Sequence, residues 1–313
     1  MLGSALVAAA AMLFGTLGVI SRGAADVGLG PIAFVAWRAG LGLVALAGAT
    51  AWLAARGRAP LPRPGLLGQR RLLALLAAGL CGALLNVAIF IAFQRTTIAL
   101  ALITFYTFPA LVTLAAVRLY GERLTVTRLA ALFLSSAGLV LVVLAPALET
   151  GELAFDLLGL ALALFAALCQ AAFILLSARG FQPFASLHVA TYVIAAALVL
   201  SLSMLLMIGD LGALSLPLTE QRTWFWIAAG GVAAAALPTT LLLAGLGIIG
   251  PTRTAILMTI EPVVGVALAG LLLREQPGAL QLLGGAAVLV AAIVLQIGPR
   301  VAHESEEAEV RVV

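Results

Sequence analysis

Residues 256–270 read ILMTIEPVVGVALAG, an apolar run with a single charged side chain, Glu261, which Pro262 follows at once. An acid in such a run needs a partner or a proton if water is excluded around it. The composition indicates that water is excluded along most of the chain, because 64% of its 313 residues are hydrophobic and only 10% are charged. A soluble domain of this length cannot bury so much apolar surface. The sequence therefore predicts an all-α integral membrane protein.

Ten apolar segments have the length of about 20 residues that a helix needs to cross the bilayer. Strands of transmembrane barrels alternate apolar and polar residues, whereas these segments are apolar on all sides, which favours helices. The ten lie near residues 3–21, 32–54, 72–93, 98–117, 127–145, 157–177, 186–208, 223–246, 252–273 and 279–297.

The distribution of charge predicts the orientation of the chain. Arginines crowd the second turn and surround the fourth, which places both turns in the cytoplasm; they are Arg56, Arg58, Arg63, Arg70 and Arg71, then Arg118, Arg123 and Arg128. The fifth turn carries acids and no base, which fits the opposite side: Glu149, Glu152 and Asp156. Ten crossings return the chain to its starting side, so both termini are predicted to be cytoplasmic. The expected location is the cell membrane (inner or plasma), with multiple passes.

The two halves of the chain share a layout. Residues 109–130 read PALVTLAAVRLYGERLTVTRLA and residues 262–283 read PVVGVALAGLLLREQPGALQLL. In each stretch a proline lies 13 residues before a glutamate, which is Glu122 in the first half and Glu275 in the second. The corresponding residues of the two halves are 153 positions apart. Two units of five helices follow, 1–146 and 153–298, with 299–313 as a disordered acidic tail. An odd number of crossings in each unit forces the units into opposite orientations, as in secondary transporters.

These features resemble the EamA-type branch of the drug/metabolite transporter superfamily. The resemblance rests on RAGLGLVAL in the second helix, TFYTFPALVTLAAVRLYGERLT before the fifth and GPTRTAILMTIEPVVGVALAGLLLREQP before the tenth. It covers the whole chain except the tail. The resemblance implies a metabolite or drug permease of two inverted five-helix repeats, without ATP-binding parts, and export rather than uptake.

Two charged residues lie inside predicted helices. Glu261 is nine residues past Thr252, roughly 14 Å into the membrane. It is either a substrate or proton site, or a buried acid that hydrogen-bonds backbone freed by Pro262. Arg38 is seven residues into the second helix and either binds an anionic group or anchors that helix. A direct Arg38–Glu261 pair remains open, as does a substrate ammonium at Glu261 whose carboxylate meets Arg38.

The helix-breaking prolines add to the candidate cavity. Pro109, Pro238 and Pro262 each remove one helical hydrogen bond, and Pro109 and Pro262 are predicted to leave the carbonyls of Phe105 and Met258 without their usual donors. Further candidates for lining the pocket are polar or aromatic residues inside predicted helices. For each of them, the alternative is a role in packing between helices. They are Thr104, Tyr106, Thr107, Asn86, Gln170, Tyr192 and Thr239, together with Phe108, which matches Glu261 at the 153-residue offset.

The function predicted is secondary active transport, with export of a small amphipathic metabolite, an amino acid or a drug-like compound. The expected partners are that substrate, the bilayer and protons as coupling ion, with a homodimer as a candidate assembly. Two alternatives are an integral-membrane enzyme acting on lipid, which needs a polar catalytic cluster, and a non-transporting receptor or scaffold, which needs long loops. No catalytic residues, metal ligands or cofactor motif are identified, and the arginines in turns report topology rather than nucleic-acid binding.

Overall fold

The computed structural model describes residues 1–57, 68–96, 98–122, 124–150, 156–181, 184–272 and 278–297. The described part is helical and contains no strand. Several sequence predictions concern residues outside these ranges: Arg58, Arg63, Arg123, Glu152, Glu275 and the tail 299–313.

Ten long helices follow one another along the described residues, at the positions that the apolar segments predicted, and two short helices, Leu211–Leu214 and Leu216–Thr219, precede the eighth. The ten long helices are α1 (Leu2–Gly15 and Leu17–Asp26), α2 (Pro31–Ala55), α3 (Gln69–Arg95), α4 (Ile98–Phe105 and Phe108–Tyr120), α5 (Val126–Thr150), α6 (Leu157–Ala178), α7 (Ser186–Met207), α8 (Thr223–Ala228, Ala229–Ala236 and Leu237–Ile249), α9 (Pro251–Leu257 and Ile260–Leu272) and α10 (Ala279–Ile297).

Nine of these helices, α1 to α9, are long and apolar enough within the described residues to cross a membrane. The apolar stretch of α10 that meets the same composition, Ala279–Leu295, is shorter. The chain is therefore a multi-pass membrane protein by the length and composition of its helices, and the predicted tenth crossing is not established.

Four helices are interrupted, and prolines explain three of the interruptions. Pro109 and Pro262 lie near the starts of the second parts of α4 and α9, where a missing N–H removes no helical bond. In α8, the segment Ala229–Ala236 is a π-helix that ends just before Leu237 and Pro238. Wider π turns occur where a proline disturbs the ladder of hydrogen bonds. The break in α1 falls at Thr16, whose hydroxyl donates to the Leu13 carbonyl at 2.6 Å.

Contacts between helices form matching pairs. α1 packs against α8 and α9. Its counterpart five helices later, α6, packs against α3 and α4, which are the counterparts of α8 and α9. In the same way, the contact of α2 with α8 corresponds to the contact of α7 with α3. α2 against α7, and α5 against α10, join helices that are themselves five apart. Exchanging each helix with the one five positions away thus maps these contacts onto one another. This arrangement brings the broken helices α1, α4 and α9 together in the interior.

Candidate functional site

The breaks of α4 and α9 place the acid of the sequence analysis beside an aromatic cluster. The Tyr106 hydroxyl, in the break of α4, and the Glu261 carboxyl, in the first turn of the second part of α9, interact electrostatically. Tyr106 is 5% exposed, and Glu261 is partly exposed. Two of the predicted site residues, one from each half of the chain, therefore meet.

Three aromatic rings surround the α4 side of this contact. The ring centroid of Tyr106 lies 5.2 Å from that of Phe105 and 5.7 Å from that of Phe108, and the two phenylalanine centroids are 5.3 Å apart. Phe108 is fully buried in the main apolar core, so its ring supports Tyr106 from behind. The Phe105, Tyr106 and Phe108 rings are named the aromatic trio below.

The backbone around Glu261 is tightly packed. A Cβ atom added to Gly15 in α1 would lie 2.7 Å from the Glu261 carbonyl oxygen, closer than side chains approach backbone atoms. The absence of a side chain at Gly15 lets α1 contact α9 at the level of the acid. Access of a ligand to Glu261 from this side consequently requires α1 and α9 to separate.

The carbonyl predicted to be free at the break of α9 is not free. The Glu261 N–H donates to the Met258 carbonyl at 3.1 Å. This bond joins residues three apart and so closes a tighter turn than the α-helical bond from residue 262, which Pro262 cannot form. The prediction for Met258 was therefore wrong, because the chain closes a local turn at the break instead of leaving the carbonyl exposed.

Arg38 lies in a different set of contacts. Its guanidinium donates to the Asn86 side-chain oxygen at 2.7 Å and lies 5.8 Å from the centroid of the Phe34 ring. A Cβ on Gly231, in the π-helix of α8, would lie 2.7 Å from the Arg38 carbonyl oxygen. Arg38 and Asn86, both predicted site residues, thus join α2, α3 and the π-helix.

The charged pair left open by the sequence does not form. Arg38 and Glu261 are both among the described residues, and no hydrogen bond, ion pair or electrostatic interaction joins them. Each has a neutral partner instead, Asn86 for Arg38 and Tyr106 for Glu261.

The remaining candidates are scattered or engaged locally. The Thr104 and Thr107 hydroxyls donate to the Leu100 and Thr104 carbonyls of their own helix, at 2.8 and 2.7 Å. Tyr192 in α7 stacks on Phe184, with centroids 5.9 Å apart. The last four candidates, in α6, α8, α4 and α8, are buried: Gln170, Thr239, Pro109 and Pro238.

Sequence reasoning missed three buried polar features on the predicted cytoplasmic side. Arg253 is 8% exposed in the first part of α9; its place inside a predicted helix was a usable signal. Arg128 pairs with Glu122 at 3.0 Å, and an added Cβ on Gly250, before α9, would lie 3.1 Å from Glu122 Oε1. Glu122 had been used only as a repeat marker. His188 is 4% exposed, and neither ring nitrogen has a hydrogen-bond partner.

Two cavities lie elsewhere in the bundle and are not lined by Glu261. One of about 240 Å³ lies between the end of α6, the start of α7 and the end of α8, and another of about 20 Å³ lies between the start of α2, α3 and α7. Among the described residues that line them, none belongs to the predicted site. The surroundings of Glu261 are closed by the contacts of α1 and α4.

Comparison with known proteins agrees with the helical plan. The model of the EamA-like transporter family matches residues 1–144 and again residues 157–297. A solved structure described only as a crystal structure of a protein is similar to this chain, with 21% identity, a TM-score of 0.74, and coverage of 94% of this chain and 98% of that one. A comparison with curated proteins gives no significant match. The structural similarity concerns the fold alone.

Proposed function

The chain belongs to the EamA-like transporter family, whose model matches both of its halves, and we therefore propose that it is a secondary active transporter. It exports a small amphipathic metabolite, an amino acid or a drug-like compound by alternating access. The observation that carries the proposal is the electrostatic interaction between the Tyr106 hydroxyl and the Glu261 carboxyl. It joins the broken helices of the two halves at a depth where polar groups are costly.

The architecture proposed is two inverted repeats, residues 1–146 and 153–298, with α10 as the tenth crossing. The matching helix contacts support it, because the contacts of α1 with α8 and α9 and of α2 with α8 have counterparts in those of α6 with α3 and α4 and of α7 with α3. With five crossings in each unit, equivalent helices run in opposite directions. Transporters of this kind bind their substrates at the interface of the repeats, where helices are interrupted.

Transport requires the closed packing around Glu261 to open alternately to each side. The closest constraint is the contact of Gly15 with the Glu261 backbone, which belongs to α1 and α9. Rocking one repeat against the other separates these helices and exposes the carboxylate and Tyr106. Loss of the interaction between Tyr106 and Glu261 in that state is compensated by the substrate or by a proton, because an unpaired carboxylate is unfavourable inside the membrane.

The proposed location is the cell membrane, with both termini in the cytoplasm and protons as the coupling ion. The described arginines that support this orientation flank the start of α3 and the end of α4: Arg70, Arg71 and Arg118. Glu261 is the carboxyl that exchanges the proton, since it is the acid located at a helix break inside the bundle.

A two-step experiment tests the proposal. Purified protein is first heated with a library of metabolites and drug-like compounds, because a ligand that binds the folded state raises its melting temperature. Compounds that do so are then assayed for uptake into liposomes with and without a proton gradient. Gradient-dependent uptake that Glu261→Gln abolishes, while Glu220→Gln at the exposed α7–α8 connection retains it, supports the proposal. Stabilising ligands that are never transported contradict it.

A further inference from the structure

A buried ion pair lies where the two halves of the chain meet, between the end of α4 and the start of α9. Glu122 Oε2 accepts a hydrogen bond from the Arg128 guanidinium at 3.0 Å, and the two side chains are only 14% and 5% exposed. The other carboxylate oxygen lies against the second half, because a Cβ added to Gly250 would lie 3.1 Å from Glu122 Oε1. A carboxylate of the first half therefore contacts the backbone from which α9 begins.

The start of α9 is buried where this carboxylate contacts it. Pro251 is buried, Thr252 is 1% exposed and Arg253 is 8% exposed. The first part of α9 packs against the second part of α4. Gly250 adopts φ = +77°, a conformation that glycine reaches without strain, and its missing side chain lets Glu122 approach the backbone. Carboxylate and helix ends together close this end of the boundary between the halves.

Both elements lie on the side of the membrane from which α3 starts. The crossings α3 and α4 bring the end of α4 back to the side of Arg70, and the four crossings α5 to α8 bring the start of α9 there as well. The proposed orientation makes this side cytoplasmic. Alternating access opens each side in turn by moving one repeat against the other. On the proposed mechanism, the contact of Glu122 with Gly250 must therefore break once in each transport cycle.

We infer that Glu122 is a positioning residue for transport, whose carboxylate keeps the cytoplasmic side closed by contacting the start of α9. Glu122, Arg128 and Gly250 are named the cytoplasmic latch. The inference rests on the proposed transport function and goes beyond it, because it assigns closure of one side to one contact. The latch does not touch a substrate at the helix breaks, since the 13 residues of the second part of α4 separate Glu122 from the aromatic trio by roughly 20 Å.

The cytoplasmic latch has no exact counterpart at the other end of the proposed repeats. At the 153-residue offset Glu122 corresponds to Glu275, but Arg128 corresponds to Gln281, which carries no charge. The Gln281 side-chain oxygen accepts a hydrogen bond from the Gly278 N–H at 2.9 Å. Position 281 therefore cannot hold an acid by an ion pair as Arg128 does. We expect the cytoplasmic side to be the closed side of the protein when no substrate is bound.

Cysteine labelling tests the cytoplasmic latch without a substrate. In the full chain lacking Cys81 and Cys169, Thr252→Cys is the reporter, because Thr252 is buried and its hydroxyl has no hydrogen-bond partner among the described residues. A membrane-impermeant maleimide is applied to vesicles of each orientation, and Arg70→Cys identifies the side of the latch. Glu122→Gln should raise the labelling rate of the reporter from that side at least about tenfold, the factor that corresponds to one hydrogen bond to a charged group.

Two controls separate opening of one side from general loosening. Ala78→Cys places a second reporter in the main apolar core, where Ala78 is fully buried, and it should stay protected in the Glu122→Gln variant. Glu220→Gln removes an exposed carboxylate between α7 and α8 and should leave labelling at Thr252→Cys unchanged. If Glu122→Gln does not fold, Arg128→Gln replaces it, because it releases the carboxylate from its own half and should open the same side.

Each outcome decides for or against the cytoplasmic latch. Unchanged labelling at Thr252→Cys in both latch variants overturns the inference and leaves the transport function standing. Equal increases at Thr252→Cys and Ala78→Cys, or an increase from the side opposite Arg70, also overturn it, because Glu122 then stabilises the fold as a whole. A selective increase from the side of Arg70 supports the latch. If no compound of the library is transported by the same protein, closure by Glu122 stands and the proposed function is rejected.

Discussion

The Arg38 guanidinium donates a 2.7 Å hydrogen bond to the side-chain oxygen of Asn86, linking α2 to α3. The Asn86 amide nitrogen donates to the Gly82 carbonyl at 2.8 Å, one turn earlier in its own helix. This second bond fixes the amide with its oxygen towards Arg38. Since Arg38 is 6% exposed, a buried positive charge depends on a neutral acceptor, and we expect Arg38 to stabilise the helix bundle.

Removing that acceptor should destabilise the protein. Asn86→Leu leaves the guanidinium without its side-chain partner, and we expect the free energy of unfolding to fall by about 1.5 to 3 kcal/mol, the range for hydrogen bonds to charged groups. Thermal denaturation in detergent measures the effect. The double variant Arg38→Met with Asn86→Leu should recover part of the loss, because the buried charge is gone. Equal melting temperatures for Asn86→Leu and the unaltered protein would contradict this role.

The Glu122–Arg128 ion pair should stabilise the start of α9. Glu122 and Arg128 side chains are 14% and 5% exposed, and the Glu122 carboxylate lies beside Gly250, where an acid interacts favourably with a helix N-terminus. Glu122→Gln keeps the shape and removes the charge, so we expect a loss of about 1 to 3 kcal/mol. Glu220→Gln, at an exposed position, should leave the melting temperature unchanged, and equal effects of the two substitutions would exclude a specific role.

Gly15→Ala should disturb the contact between α1 and α9. The added methyl group would lie 2.7 Å from the Glu261 carbonyl oxygen, and relief of such a clash typically costs about 1 to 3 kcal/mol. Gly18→Ala in the same helix is the matched control, because nothing lies within 4 Å of its added Cβ. Alanine is also the better helix former, by up to about 1 kcal/mol. Melting temperatures that fall for Gly15→Ala and hold or rise for Gly18→Ala confirm the close approach.

Glu261→Gln should remove the pH dependence of transport. Among the described residues, Tyr106 is the titratable group that interacts with Glu261, and α1 contributes the Gly15 backbone, so on the proposed mechanism we expect Glu261 itself to take up and release the proton. Uptake into liposomes is measured over a series of internal and external pH values, with folding verified separately. The unaltered protein should respond to the gradient, whereas the Gln variant should not. Normal gradient-driven transport by the variant would assign Glu261 a purely structural role.

Cysteine labelling tests the orientation. In a background lacking Cys81 and Cys169, cysteines are introduced at Arg70, next to the start of α3, and at Gln221, between α7 and α8; both positions are exposed. The positive-inside rule places the first in the cytoplasm, and the five crossings from α3 to α7 place the second outside. A membrane-impermeant maleimide should label intact cells at Gln221 only. Labelling at Arg70 alone would invert the orientation of both repeats.

Sequence alone predicted the helices well because each apolar segment has the length of a membrane crossing, and length is a local property. Pro109 and Pro262 also marked the breaks of α4 and α9 correctly, since proline excludes the ordinary helical bond wherever it lies. The π-helix of α8 was not predicted. Its form depends on how the backbone at Gly230 and Gly231 packs on Phe34 and Arg38, and these contacts arise between helices distant in the chain.

The candidate site was only partly predictable. Glu261 and Tyr106 were singled out separately, but they lie 155 residues apart in the chain (261 − 106), and their interaction follows from the packing of α4 against α9. The contact of α2 with α3 decided that Arg38 pairs with Asn86 rather than with Glu261. The sequence determined the solvent, the number of apolar segments and the residues that interrupt them, because these depend on local composition. Tertiary structure decided which partners the buried charged groups have. Helices in a bilayer bury polar groups at contacts with other helices, and the sequence of one helix does not specify which helices it contacts.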